Sequence, residues 1–331
     1  MTVKRKAVPV FVAALAAFAL LPFAAQGQTT LRLISGWGAN NSNVPLVEAV
    51  FIKNVMEASN GQIRIQRSGP EVVPPFDQLQ PVSAGVFDIL FTTPNYHQAQ
   101  TGVGALFDAF KSDPDKRREA GLVAWADDYY QNRFGVRILA LFVAPGNHFV
   151  LRDPLGADGT LKGRKIRSIP IFDGVIRALG GTPVTLLPTD ALSAMQKGVV
   201  DGIAFPSGLS ADYRLYEAGK YMTRPVFGRT DLLFVMNVKK FDSLPAGHQK
   251  VLLEEGRRIE AKGQKALAEH GRRDIETMEK NGVKVTNFEA RVAASIERLY
   301  NEGIFNTASK SSPNEVKTLW DMAKSKNMIN E

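Results

Sequence analysis

The chain has 331 residues, of which 44% are hydrophobic and 22% are charged, a composition typical of globular proteins. It contains no cysteine, which excludes disulfide bonds, thiolate catalysis and cysteine-bound metals, and its four histidines (His97, His148, His248 and His270) lack the short spacing of a metal motif. The formal net charge is +8, and beyond the first few residues the basic side chains are scattered among acids without a basic stripe that contains aromatics, so we expect no nucleic-acid binding.

The first 27 residues have the pattern of a secretory signal peptide. Residues 4–6 are basic, residues 8–23 are mostly apolar, and residues 25–27 offer small side chains at a cleavage site. The apolar run is short for a membrane-spanning helix, which needs about twenty residues. We therefore predict cleavage after Gly27 and export of a mature protein whose net charge falls to +5 with the loss of three basic residues. An uncleaved anchor is the alternative.

Strands and helices alternate through the next part of the chain. Hydrophobic periodicity predicts strands at residues 31–34, 62–67, 87–91, 136–142 and 149–152, and helices at residues 45–59, near 76–84 and at 115–134. The polar loops that follow the first and third strands supply candidate binding residues, namely Trp37, Asn43, Thr93, Asn95 and Tyr96.

Residues 161–206 carry the clearest strand–helix alternation. A strand at 164–168 leads into a helix at 171–179, a short strand at 183–187, a second helix, and a third strand opened by Asp201-Gly202. This spacing indicates a parallel α/β sheet, and such sheets bind ligands at the carboxyl ends of their strands. Arg167 lies near that end, where a guanidinium can hold a planar anion through two hydrogen bonds. An exposed, solvated Arg167 is the alternative.

The remaining pattern predicts a helix near 210–218, a long strand region at 224–238, a nearly continuous helix at 246–280, a strand at 283–286, and helices at about 289–305 and 313–324. The whole reads as two αβ lobes joined by more than one crossing. The sequence lacks a nucleophile elbow, a P-loop, an HExxH motif and a glycine-rich dinucleotide motif after a strand. We therefore expect a binding protein without catalytic residues, metal or cofactor; a secreted hydrolase is the alternative.

Three segments carry a family resemblance: LKGRKIRSIP, ALGGTPVTLLPTDALSAMQKGVVDG and FVMNVKKFDSLP. In order and spacing they resemble the substrate-binding proteins of tripartite ATP-independent periplasmic (TRAP) transporters, DctP type. The resemblance implies a two-lobed α/β periplasmic-binding-protein fold (type II-like) with a long helix, residues 246–280, crossing both lobes. We expect lobe I to comprise residues 28–146 and about 234–275, and lobe II to comprise about 147–233 and about 276–331.

The resemblance also implies a function in the periplasm. A monomeric receptor closes its cleft on a small organic acid and delivers the acid to the small and large membrane subunits of a permease. In the family, the arginine that pairs with the ligand carboxylate matches Arg167. A sensory receptor that presents its cargo to a kinase ectodomain is the alternative.

Two departures from the family pattern bear on the ligand. Many members carry a second arginine where this chain has Asn147, and a ligand-contacting asparagine where it has Phe205. A missing cation and an added aromatic face predict an aromatic or otherwise apolar monocarboxylate. A sugar acid or a C4-dicarboxylate is the alternative. Trp37, Tyr96 and Phe205 are expected to enclose a ring.

Several of these candidates also have a purely structural interpretation. Trp37 and Phe172 are also typical of a core, and Asn43 and Asn95 are also typical of turns or helix caps.

Overall fold

The computed structural model describes residues 1–3 and 28–330. The expected signal peptide is residues 1–27, of which residues 4–27 lie outside the described residues. In the part of the chain that is described, the helices are all too short or too polar to cross a lipid bilayer.

Eleven strands form two mixed sheets in the described chain. The strands are β1 Thr29–Ser35, β2 Ile63–Ser68, β3 Ile89–Thr92, β4 Val136–Ala144, β5 Asn147–Leu151, β6 Lys165–Ser168, β7 Thr182–Thr185, β8 Gly202–Pro206, β9 Tyr221–Arg224, β10 Thr230–Asn237 and β11 Lys284–Asn287. Lobe I is built on a five-stranded sheet of order β2-β1-β3-β10-β4, and lobe II on a six-stranded sheet of order β11-β9-β5-β8-β6-β7.

Ten α-helices cover these sheets in the described chain. They are α1 Ala49–Ala58, α2 Leu79–Ser83, α3 Pro114–Glu119, α4 Leu122–Phe134, α5 Pro170–Ala178, α6 Ala191–Gln196, α7 Val238–Asp242, α8 Ala246–Lys280, α9 Ala290–Ala308 and α10 Pro313–Ser325. A π-helical segment, Val44–Glu48, precedes α1 and places Pro45 in its first turn.

The strands within residues 164–206 pair in parallel, which confirms the expectation from their alternation with helices, although each whole sheet is mixed. β1 pairs in parallel with β2 and β3, and β6 pairs in parallel with β7 and β8. β10 is antiparallel to β3 and β4, and β5 is antiparallel to β8 and β9. β4 and β5 belong to different sheets and are separated by Pro145 and Gly146, so the chain passes between the lobes at this point.

Helix α8 confirms the long helix crossing both lobes. Its N-terminal half packs on β4 so closely that a Cβ atom at Gly256 would lie 2.2 Å from the carbonyl oxygen of Leu139. Its C-terminal half reaches lobe II, where Gly271 lies against Gly208. The Asp274 carboxylate accepts hydrogen bonds there from the backbone amides of Ser210 and Ala211. Helix and lobes are therefore packed together at both ends of α8.

Three predicted elements are wrong in detail. Residues 210–218 form a loop with one short 3-10 turn, Leu215–Glu217, because Asp274 binds the first amides of the segment and Arg214 is left-handed with φ 54°. The expected long strand at 224–238 is interrupted, because β9 ends at Arg224 and β10 begins at Thr230 in the other sheet. The helix expected at 115–134 is interrupted at Gly121, whose φ is 76°.

The division of the chain between the lobes stays a prediction. β10 joins the sheet of lobe I from Thr230 onward, slightly before the expected boundary near residue 234. The C-terminal helix α10 packs on α4 and α9, and the backbone of Met328 accepts a hydrogen bond from Lys111.

Candidate ligand-binding site

A cavity lies between the two sheets, where β1, β3, β6 and β8 end. The interior of the cavity has a volume of about 40 Å³, and its mouth opens to solvent. Lobe I contributes loop and strand residues, namely Trp37, Asn41, Asn43, Thr93, Tyr96 and Thr230. Lobe II contributes the opposite wall, including Arg167, Phe172, Pro188, Phe205, Leu209 and Tyr213. Carboxyl ends of parallel strands are the usual position of a ligand in such sheets.

Arg167 is the charged group of this cavity. It is the third residue of β6 and is only 1% exposed, which excludes the solvated alternative. Its Nε donates to the carbonyl oxygen of Leu186 at 3.0 Å, and its Nη1 donates to that of Ala204 at 3.2 Å. Its Nη2 is buried without a hydrogen-bond partner. Two bonds therefore fix the guanidinium and leave one nitrogen free.

The environment of Arg167 supplies no counter-charge at ion-pair distance. In the described ranges 28–330, no carboxylate oxygen lies within 4 Å of its guanidinium. Burial lowers the pKa of Arg167 to about 10, and the phenols of Tyr96 and Tyr213 and the Asp190 carboxylate oppose that shift. Arg167 therefore stays charged at neutral pH, in a setting where an unpaired charge is costly.

Aromatic side chains enclose much of the cavity. The Phe205 ring centroid lies 5.5 Å from the Arg167 guanidinium carbon, a cation–π distance, and the Tyr213 ring meets Phe205 edge-on at 5.0 Å. On the opposite wall the rings of Trp37 and Tyr96 lie 6.1 Å apart. The predicted trio of Trp37, Tyr96 and Phe205 thus lines one cavity. Trp37 and Phe172 belong to the core as well as to the cavity wall.

Seven of the nine candidate residues from the sequence line this cavity: Arg167, Phe205, Trp37, Asn43, Thr93, Tyr96 and Phe172. The structure brings these together from two lobes and does not bring Asn147 and Asn95 with them.

Asn147 is buried beside the cavity, with its amide already occupied. Its Oδ1 accepts from Thr230 Oγ1 at 3.1 Å, and its Nδ2 donates to the carbonyl oxygen of Arg229 at 3.3 Å and to the Tyr300 hydroxyl at 3.4 Å. The Asn147 side chain therefore holds Thr230, which lines the cavity, and is not itself among the lining residues.

Asn95 also has a structural place. Its Nδ2 donates to Thr93 Oγ1 at 3.1 Å and to Asp108 Oδ2 at 2.9 Å. These bonds hold the 3-10 turn Pro94–His97, which carries Tyr96 into the cavity. The turn interpretation therefore applies to Asn95.

Sequence reasoning missed the pair of loops that joins the lobes across the cavity. Asn41 Nδ2 donates to the Tyr213 hydroxyl at 3.1 Å, and the amide and hydroxyl of Ser42 donate to Asp212 at 2.8 and 3.0 Å. We call these four residues the clasp. The signal was weak in the sequence, because residues 210–218 read as a helix and not as a loop that reaches the other lobe.

Among the described residues, one group of potential metal ligands includes a residue of the clasp: Asp212, together with His270 and Asp274. Their oxygen atoms already serve the protein, since Asp212 accepts from Ser42 and Asp274 accepts from the amides of Ser210 and Ala211. Burial raises the pKa of Asp274 to about 7. These carboxylates therefore fix the loop that carries Tyr213.

The polar groups that line the cavity are few. The lining, within the described ranges, offers one cation, hydroxyls and amides, and it contains no carboxylate or histidine. His97 and His148 are fully buried elsewhere, and burial lowers the pKa of each to about 3. A general base paired with a nucleophile is not assembled among these lining residues.

Several curated proteins are similar to part of this chain. The curated protein "Outer membrane transporter protein TsaT" of Comamonas testosteroni is 27% identical over 190 residues, which cover 52% of this chain and 53% of that protein. The chain spans about half the length of the curated relatives it matches, between 39% and 53% for three of them.

Two solved structures share the fold across nearly the whole chain. A TRAP solute-binding protein of Desulfovibrio desulfuricans with bound sn-glycerol-3-phosphate has a TM-score of 0.80 at 17% identity, covering 92% of this chain and 99% of the other. A TRAP solute-binding protein of an unidentified marine microbe, specific for aromatic acids and bound to metahydroxyphenylacetate, has a TM-score of 0.74 at 20% identity, covering 90% and 98%.

The family model described as bacterial extracellular solute-binding protein, family 7 (DctP) matches residues 36–304. That span includes both sheets' cavity-lining loops, Arg167 and most of α9. The chain therefore belongs to the DctP family of bacterial extracellular solute-binding proteins.

Proposed function

We propose that this protein is a non-enzymatic periplasmic receptor that binds a small aromatic or otherwise apolar monocarboxylate. It would act as a monomer and deliver the acid to the small and large membrane subunits of a TRAP permease. The observation that carries the proposal is the free Nη2 of Arg167, buried in a cavity with aromatic walls.

A ligand carboxylate would complete the hydrogen bonding of Arg167. A charge-assisted bond of this kind contributes about 1.5–3 kcal/mol net, and the excluded water strengthens it. Because the empty closed cavity buries an unpaired cation, ligand binding would favour the closed arrangement over an open one. The clasp would then hold the lobes together around the cargo.

The number of charges favours a monocarboxylate. Arg167 is the lone cationic residue of the described cavity lining, and Asn147 stands where many relatives have a second arginine. A second carboxylate would enter the cavity without a cation to pair with it, at a high desolvation cost. A sugar acid would need many polar partners, whereas Trp37, Phe172 and Phe205 offer rings.

The similar proteins support solute binding as the class of function, but they bind different ligands and so support no single one. One neighbour carries an aromatic acid and another a phosphorylated glycerol, so the fold accepts different anions. The aromatic acid is the precedent that agrees with the walls of this cavity.

The proposal is tested by thermal shift and calorimetry on the mature protein from Gln28 onward. The panel contains phenylacetate and benzoate, the C4-dicarboxylate succinate, and the sugar acid galactonate. We expect stabilisation by the aryl acids. Stabilisation by succinate or galactonate, with none by phenylacetate or benzoate, would overturn the proposed ligand class. Turnover of a bound acid would overturn the non-enzymatic assignment.

A further inference from the structure

We propose that the cargo carries a hydrogen-bond donor in addition to its carboxylate, and that Oδ1 of Asn43 accepts it. This inference rests on the proposed function, since it concerns the same cavity and the same acid. It narrows the ligand class to ring carboxylates that bear a hydroxyl or a ring N–H.

Asn43 is a buried residue with an unused acceptor. It is 1% exposed, it lines the cavity, and its Oδ1 has no hydrogen-bond partner among the described residues. Buried polar groups in native proteins are nearly always paired, so an unpaired acceptor on a residue that lines a cavity points to a ligand group.

The local backbone does not explain the Asn43 side chain. Asn43 stands at the N-cap position of Val44–Glu48, but its side chain makes no capping bond. The turn is held by its neighbour instead, because the Asn43 amide N–H donates to Asn41 Oδ1 at 2.8 Å. Asn41 therefore holds the loop and the clasp, while the Asn43 side chain makes no capping bond to the segment it precedes.

The two unpaired groups have opposite chemistry and lie on opposite lobes. Nη2 of Arg167 in lobe II is a charged donor, and Oδ1 of Asn43 in lobe I is a neutral acceptor. A carboxylate satisfies the first but, having no proton, cannot satisfy the second. A second group on the ligand must therefore donate to Asn43, which would make one molecule bridge both lobes.

The walls near these two groups restrict the body of the ligand. Trp37, Phe172 and Phe205 line the same cavity and provide flat apolar surfaces. A hydroxyaryl acid or a heteroaromatic acid with a ring N–H combines a planar body, one carboxylate and one donor. An unsubstituted aryl acid would leave the Asn43 oxygen desolvated and unpaired.

Calorimetry with matched ligands tests the inference. One set is phenylacetate with its 3- and 4-hydroxy and 3- and 4-methoxy derivatives, and the other is pyrrole-2-carboxylate with furan-2-carboxylate. In the wild-type protein we expect a donor-bearing member to bind about 5- to 100-fold more tightly than its methoxy or furan counterpart, because the methoxy and furan oxygens only accept.

Substitution of Asn43 assigns the effect to this residue. In Asn43→Leu the ratio between donor and non-donor ligands should fall to about one, whereas Asn43→Asp, which keeps an acceptor, should retain a preference for donors. Asn132→Leu, at an exposed position of α4, is the matched control and should leave the ratio unchanged.

Each outcome separates this inference from the proposed function. Equal binding of donor and non-donor acids in the wild-type protein overturns the inference and leaves the proposed function standing. A donor preference that persists in Asn43→Leu overturns it as well. If no monocarboxylate of either set binds, both proposals fail. Should Asn43→Leu not fold, the wild-type ratios and Asn43→Asp still decide.

Discussion

Asn41 and Tyr213 meet across the cavity, with Nδ2 of Asn41 donating to the phenol oxygen of Tyr213 at 3.1 Å. Asn41 belongs to the loop after β1 in lobe I, and Tyr213 belongs to the loop after β8 in lobe II. The phenol proton remains available, and Tyr213 lies close enough to Arg167 to affect the pKa of its guanidinium. The Tyr213 hydroxyl therefore takes part in the contact between the lobes and also lies near Arg167, the candidate anion-binding residue.

Tyr213→Phe should weaken ligand binding without unfolding the protein. The variant loses the Asn41 bond, which is worth about 0.5–1.5 kcal/mol net, so the dissociation constant should rise about 2- to 12-fold. Calorimetry with an aryl acid measures the change. Tyr216→Phe, on the same loop but outside the described cavity lining, is the control. An equal loss in both variants would argue against the clasp.

Two glycines of α8 should respond to alanine in opposite ways. A Cβ at Gly256 would collide with the Leu139 carbonyl, whereas a Cβ at Gly247 meets open space. Gly256→Ala should lower the free energy of unfolding by about 1–3 kcal/mol, because the helix must move from β4. Gly247→Ala should be neutral or stabilise by up to about 1 kcal/mol, from helix propensity. Chemical denaturation measures both, and similar values would contradict the close packing of α8.

Arg117 and Asp231 form a fully buried ion pair. Nη1 of Arg117 lies 2.5 Å from Asp231 Oδ1, and Nη2 also donates to the Phe107 carbonyl at 2.9 Å. Arg117→Ala should lower the free energy of unfolding by about 3–5 kcal/mol, because it leaves an uncompensated carboxylate in the core. Arg298→Ala removes an exposed ion pair with Glu302 and should have little effect. If the denaturation midpoints of Arg117→Ala and Arg298→Ala shift by the same amount, the prediction is wrong.

Buried histidines should make the protein sensitive to mild acid. Burial, together with a smaller effect of the Arg224 charge, lowers the pKa of His148 from the ordinary value of 6.5 to about 3. As pH falls below 6.5, His148 binds a proton in the unfolded chain but not in the folded chain. Stability present above pH 6.5 is therefore lost progressively toward pH 3, by up to about 1.4 kcal/mol per pH unit.

His148→Gln removes this titration and keeps a polar partner for Ser210, whose Oγ lies 2.7 Å from His148 Nε2. Melting temperatures of both proteins, measured between pH 7.5 and 5, should converge as the pH falls. A constant difference over this range would show that His148 does not titrate in the unfolding transition.

Elements with strong local signals were predictable from the sequence. Residues 246–280 form α8 with the expected bounds, because Pro245 starts the helix and Asn281-Gly282 end it. The strand end that carries Arg167 was predictable for the same reason, since Pro170 opens the next helix.

Elements set by tertiary contacts were not predictable. Residues 210–218 have a helical pattern, yet Asp274, more than sixty positions away, binds the amides of Ser210 and Ala211 and fixes a loop. Tyr213 was missed with that loop. Asn147 looked like a ligand contact by its position in the family pattern, but Thr230 and Tyr300, which are distant in sequence, occupy its amide.

Calorimetry of Arg167→Met with an aryl monocarboxylate tests the central claim most directly. Methionine fills similar space without charge, so the ligand-free melting temperature should hold or rise, because an unpaired buried cation is gone. Binding should weaken by about 12-fold to more than 150-fold, corresponding to the loss of about 1.5–3 kcal/mol. A folded variant that binds the acid as tightly as the wild-type protein would contradict the account.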